Sequence, residues 1–82
     1  MTATKAIVER DREPVMIGNH LVVFTPHYLP GVGPRVMVVD SCPGPRNLSA
    51  DDARLFASHY KLAADEAEAI AKRERMRRRG AA

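Results

Sequence analysis

Apolar residues fall in short β-branched runs in the first half of the chain and at helical spacing in the second. Residues 15–25 read VMIGNHLVVFT. Val15–Ile17 and Leu21–Thr25 flank Gly18-Asn19, a pair that suits the positive φ of a tight two-residue turn, so the pattern predicts a β-hairpin. One long strand bulged at Gly18 is the competing reading. Arg35–Ser41 (RVMVVDS) predicts another strand, and KAIVE at 5–9 a short one. The sign-alternating run Glu9-Arg10-Asp11-Arg12-Glu13, closed by Pro14, reads as an exposed turn or edge. Residues 26–35 (PHYLPGVGPR) hold three prolines and two glycines and read as a loop, as does CPGPRN at 42–47.

From Leu48 to Arg79 there is no Pro or Gly, and Ala, Glu, Lys, Arg and Leu dominate. These are good helix formers. Ser49 is placed to cap the helix, with Asp51 and Asp52 in its first turn, Asp52 at the capping-box position, and Leu48 stapling onto Ala53. Gly80 is a natural stop. About 30 residues at ~1.5 Å each make a rod of about 45 Å. A compact chain of this length has a radius of gyration near 12 Å, so the last turns should project. Ala53, Phe56, Tyr60, Ala63, Ala67, Ile70 and Ala71, flanked by Leu55 and Leu62, form the expected packing stripe, which fades after Ala71.

The runs Leu21–Phe24 and Val36–Val39 are continuous rather than alternating. A sheet with one wet face would alternate, so both faces of this one are apolar. A single helix covers only one. A second copy of the chain is the simplest cover for the other, giving a homodimer through the sheet or through the Ala-rich helix.

Charge is distributed unevenly. Residues 1–71 carry a net −2, whereas residues 72–79 carry a net +5, and the whole chain is +3. The basic end could meet phosphates through Lys72, Arg73, Arg75, Arg77, Arg78 and Arg79, with a log–log salt slope reaching about −5 on duplex DNA. The same cations also suit the negative end of a helix macrodipole and solubility. Nothing accompanies them to read base edges, since the uninterrupted 48–79 run leaves no room for a helix-turn-helix or a ribbon-helix-helix. Four aromatic residues and no Trp argue against a stacking platform for single strands. The start MTATKAIVERDRE lacks an apolar leader core, and no run approaches the ~18 apolar residues of a membrane span. The expectation is a cytoplasmic protein with Cys42 reduced.

Candidate chemistry is sparse. One cysteine excludes an intrachain disulfide. His20, His27 and His59 show no ligand spacing, so no metal or other cofactor is expected. His20 beside the turn reads as a solvent-facing residue, and His59 as a helix residue between the apolar and polar faces near Asp52 and Glu66. A Cys42–imidazole pair would need a base and an orienting group that no spacing supplies, so Cys42 reads as a small half-buried side chain. Pro30–Arg35 is not a phosphate loop, because Pro34 removes a donor and a strand, not a helix, follows. It reads as a rigid connector exposing Tyr28, Leu29 and Arg35 to a partner. Glu68 before Lys72 reads as an i,i+4 helix pair.

The segments Leu48-Ser49-Ala50-Asp51-Asp52-Ala53-Arg54-Leu55 and Ala63-Ala64-Asp65-Glu66-Ala67-Glu68 resemble a pattern in small uncharacterised actinobacterial and actinophage proteins. In those proteins a strand leads into Leu-Ser/Thr-x-x-Glu/Asp-Ala-Arg and an Ala-rich helix. The resemblance covers about the last 40 residues and implies a small β-then-α unit without a known reaction. Tyr60 and Lys61 depart from it, standing where small apolar residues are expected, and the Arg-rich end is heavier.

The sequence therefore predicts an α+β fold. Three or four short antiparallel strands precede one long C-terminal helix packed on one face, with residues 1–71 as one domain and 72–82 as a basic extension. The expected function is a non-enzymatic interaction or regulatory protein that self-associates and binds a protein partner, with sequence-nonspecific nucleic-acid binding as the alternative.

Overall fold

The computed structural model describes residues 6–9, 12–41 and 47–80. Strands β1 (Val15–Ile17), β2 (His20–Leu29) and β3 (Gly33–Asp40) form an antiparallel sheet in the order β1-β2-β3, and helix α1 (Ala50–Gly80) packs on one face. The α+β architecture is the expected one. Cys42 and most of the 42–47 turn lie outside the described residues.

The predicted hairpin forms with Gly18-Asn19 as its two-residue loop. Gly18 has φ +61° while Asn19 stays at negative φ, the pattern of a type II′ turn, whose twist matches the flanking strands. No bulge is needed at Gly18.

The predicted loop over residues 26–35 is instead mostly strand. β2 runs on through Pro26 to Leu29, and β3 begins at Gly33. Pairing parity explains why the prolines are tolerated. Val22 and Tyr28 direct their N–H groups toward β1 and Ile7, so Pro26, of the same parity, lacks only a donor that would face away from β3. Pro34 likewise places its nitrogen on the open edge of β3. The connection shrinks to Pro30-Gly31-Val32, a turn in which Val32 N–H donates to Leu29 O at 2.9 Å. Pro30 followed by Gly31 at φ +86° is the type II arrangement.

The short strand expected at 5–9 is reduced to a single bridge, Ile7 with Tyr28, through reciprocal bonds of 2.8 and 3.0 Å. The following acidic–basic run is not simply exposed. Arg12 is half-buried and ion-paired with Glu66, and Arg73 grips Glu9 through Nε and Nη2. The segment before β1 is thus fastened along α1 by two pairs of long sequence separation.

Helix α1 starts as expected. Asp52 N–H donates to Ser49 Oγ at 3.1 Å and Ala53 N–H to Ser49 O at 2.9 Å. Leu48 is partly buried against the core, and Ala53 is exposed. Gly80 is still helical. The helix runs in the direction of β2, from the Gly18 turn, where Asp52 lies, to Pro34 beside Ala71 and Arg75. It lies over β2 and β3 and barely reaches β1.

Ile17 and Val22, each 1% exposed, form the core with Phe24 and Ala63, bordered by Val15, Val36, Val38, Leu48 and Phe56. The Phe24 ring meets Phe56 edge-on at 5.0 Å and stacks on His59 at 5.8 Å. Ala67, Ile70 and Ala71 extend the buried line along α1. Ala53, expected on the packing stripe, and Leu55 and Leu62, expected to flank it, are exposed, whereas Tyr60, though 44% exposed, keeps its ring against Phe24 at 6.0 Å and Phe56 at 6.1 Å. Burial ends at Ala71, and the long axis reaches 50 Å with a radius of gyration of 15.1 Å, so the helix end projects as predicted.

Candidate interaction surfaces

Alternation along the strands divides the sheet into two faces. Val22, Phe24, Pro26 and Tyr28 of β2 face α1, together with Val36 and Val38 of β3. Met16, Leu21, Val23, Thr25, His27, Leu29, Arg35, Met37 and Val39 take the other face. Register brings Met16 beside Leu21, Val23 beside Val39 and Thr25 beside Met37. Met16, Leu21, Met37 and Val39 are 58%, 45%, 53% and 53% exposed. The two-sided apolar pattern of the strands thus corresponds to an outer face that no described element covers.

The three residues expected to share a partner-contact loop do not share one surface. Tyr28, Leu29 and Arg35 all lie within strands. Tyr28 is on the helix side, while Leu29 and Arg35 are on the outer face, because adjacent strand residues point oppositely.

Of the basic residues, Arg73 is committed to Glu9 and Arg77 to Glu74. The hydrogen bond to Glu9 raises the Arg73 pKa above arginine's ordinary value, with the Glu9 charge adding to it against some desolvation. Lys72, Arg75, Arg78 and Arg79 are exposed and have no acid partner among the described residues. Helix-surface pairs do form, at Arg54–Asp51 and Lys61–Asp65. The expected Glu68–Lys72 pair is not among the ion pairs of the described residues, and both side chains instead line a concavity beside Pro34.

His20 is not a solvent-facing turn residue. Its Nδ1 lies 3.3 Å from Asp40 Oδ1, with the two side chains 17% and 6% exposed. The two-residue turn sets His20 against Ile17, and pairing of Val22 with Asp40 brings the carboxylate to the same end of the sheet. Sequence reasoning missed this pair because it depends on the β2–β3 register. The neighbouring Ser41 accepts the Leu21 N–H through Oγ at 3.0 Å and so serves the sheet end. His27 Nδ1 lies 3.3 Å from Thr25 O. His59 sits over Phe24 at the wall of a groove of about 430 Å³ formed with Arg12, Glu13, Val15, Leu62 and Glu66. Among the described residues no three His, Cys, Asp or Glu side chains converge as a metal site would require. No helix of the described residues is long and apolar enough to cross a membrane.

Among the described residues β3 is an edge strand, bonded to β2 alone. Beside it, two concavities of about 240 and 510 Å³ run between Pro34–Val36 and the α1 flank carrying Tyr60, Ala64, Ala67, Glu68 and Lys72.

Comparison with family models, curated proteins and solved structures gave no match for this chain.

Proposed function

We propose that this chain is a small non-enzymatic interaction protein of the cytoplasm that self-associates and presents its outer sheet face to a protein partner. The observation that carries the reading is the row of Met16, Leu21, Val23, Val39 and Met37 on a face that α1 does not reach. Apolar patches of this kind mark interaction surfaces, and methionine adapts its shape to a partner. Self-association is tested by sedimentation equilibrium of the full chain from micromolar to submillimolar concentration. A mass fixed at 9.1 kDa throughout removes it. The partner surface is tested by comparing proteins retained from a lysate by the native chain and by a Leu21→Lys/Val39→Lys variant. A partner is expected to be lost with the variant, and an unchanged retained set removes the assignment.

A second reading, sequence-nonspecific nucleic-acid binding, rests on Lys72, Arg75, Arg78 and Arg79 on the projecting end of α1.

A further inference from the structure

We infer that a second copy of this chain pairs antiparallel along the open edge of β3, joining two sheets into one of six strands with the two α1 helices side by side on one face. The inference rests on the self-association reading and specifies its interface. Three independent features meet on this flank.

The first is the backbone. Val23–Val39, Thr25–Met37 and His27–Arg35 are the pairs bonded between β2 and β3, so the N–H and C=O groups of Val36 and Val38 point outward. Edge strands usually carry charged side chains, a bulge or a proline against such pairing. The central stretch Val36-Met37-Val38-Val39 has none of these, and Pro34, Arg35 and Asp40 stand toward the two ends of the strand. A two-fold axis at Met37 sets Val36 against Val38 of the second copy twice over, giving four main-chain bonds. That alignment leaves Pro34 at the ladder's end, where its carbonyl can still accept.

The second is spacing. Strands lie about 4.8 Å apart, so a helix centred over β2 and β3 stands about 5 Å from the dyad, and the two helices about 10 Å from each other. Packed helices stand about 8–10 Å apart. The facing flank carries Ala64 and Tyr60, a small residue and a partly exposed ring, beside the concavities along Pro34–Val36, and helical spacing puts Ala57 on the same side. It also carries Glu68, Lys72 and Asp65, the last ion-paired with Lys61 of its own helix at 3.0 Å. An antiparallel helix pair whose two-fold lies near Ala64 sets Lys61 of each copy close to Glu68 of the other.

The third is area. The flank is about 26 Å long, from eight residues of β3, and about 20 Å deep, one helix plus one sheet layer. That is about 500 Å² per copy and about 1,000 Å² in total, the size at which specific interfaces begin. The outer face, three strands wide, offers only about 370 Å² per copy, or about 750 Å² in total, within the range of incidental contacts. Edge pairing therefore outcompetes face-to-face packing and leaves the outer face available.

The experiment is sedimentation equilibrium of the full chain and three variants, each checked for its fold by circular dichroism. Val36→Pro removes an outward N–H without touching the bonded pairs of β2 and β3, Ala64→Arg fills the helix flank, and Leu21→Lys charges the outer face. The expected result is a native mass of twice 9.1 kDa. Val36→Pro and Ala64→Arg then raise the dissociation constant at least about tenfold, and Leu21→Lys does not. Should Val36→Pro fail to fold, Ala64→Arg and amide exchange of the native chain decide, with Val36 and Val38 N–H protected only at concentrations where the dimer forms. A dimer broken by Leu21→Lys and untouched by Ala64→Arg overturns the edge pairing and leaves self-association standing. A native chain that stays at 9.1 kDa overturns both.

Discussion

Gly18→Ala should cost this protein stability out of proportion to one methyl group. The residue holds φ +61° as the first position of the type II′ turn, and an L-residue there costs about 1–3 kcal/mol. A Cβ at Gly18 would also stand 3.1 Å from Asp52 Oδ2, in the first turn of α1. That side chain can shift, so the contact adds a few tenths of a kcal/mol at most. A chain of this length is stable by about 4–12 kcal/mol, from roughly 0.05–0.15 per residue. The change is therefore a sizeable fraction of the total.

Urea unfolding followed by far-ultraviolet circular dichroism should show the midpoint falling by about 1–3 M for a slope near 1 kcal/mol/M. Gly18→Asn should lose less, because asparagine enters the positive-φ region more readily. The two causes separate in a double-mutant cycle with Asp52→Ala. Relief of the contact makes Gly18→Ala a few tenths cheaper in that background, while the backbone cost persists. A loss below about 0.5 kcal/mol for Gly18→Ala would refute the imposed φ. Coupling above about 1 kcal/mol would show that the contact with the helix dominates instead.

Three further outcomes are expected. Phe24→Ala, which removes the ring held between Phe56 and His59, should destabilise by about 3–5 kcal/mol in the same urea assay, and a loss under about 2 would contradict its place in the core. Ser49→Ala should cost about 1 kcal/mol through the lost cap on Asp52 N–H, and an unchanged midpoint would show that the cap contributes nothing. A chain ending at Ala71 should lose any salt-sensitive binding to duplex DNA seen with the full chain, measured at two salt concentrations, and no binding by the full chain at low salt would eliminate the nucleic-acid reading.

How much was legible in the sequence follows from how local each signal is. The Gly18-Asn19 hairpin, the Ser49 cap and the length of α1 depend on residues within one or two turns of each other, and they appear as expected. The continuous apolar runs also gave the uncovered outer face, since burial on both sides of a strand is written in its pattern. Pro26 and Pro34 misled because a proline count ignores parity. Each is harmless where its missing N–H faces an open edge, and that edge is known only once the strand order is. The His20–Asp40 and Arg73–Glu9 pairs were invisible for the same reason, being 20 and 64 residues apart in sequence. Ala53 has the spacing of the α1 stripe yet is exposed, because periodicity does not tell where along the helix contact with the sheet begins.

The small core bears on assembly as well as on stability. Helix α1 meets the sheet largely through Ala63, Ala67 and Ala71, which lets it approach closely but buries little apolar surface per turn. Among the described residues, Ile17 and Val22 are the largest side chains buried to below 2% exposure. At about 25 cal/mol per Å² of apolar area, alanine contacts contribute far less than the leucines a longer chain would place there. Met16, Leu21, Met37, Val39, Tyr60 and Leu62 meanwhile remain exposed. Edge pairing would add bonded backbone and a second helix to the flank on which Tyr60 lies. Stability would then include a concentration-dependent part, so the thermal midpoint should rise with protein concentration in the native chain, and in Ala64→Arg that rise should begin only at concentrations at least about tenfold higher. The basic ends of the two antiparallel helices would point in opposite directions, about one helix length apart. Any phosphate-bearing partner would then be met at two separate sites, while the outer face stays continuous across the dyad through Met37 and Val39 of both copies.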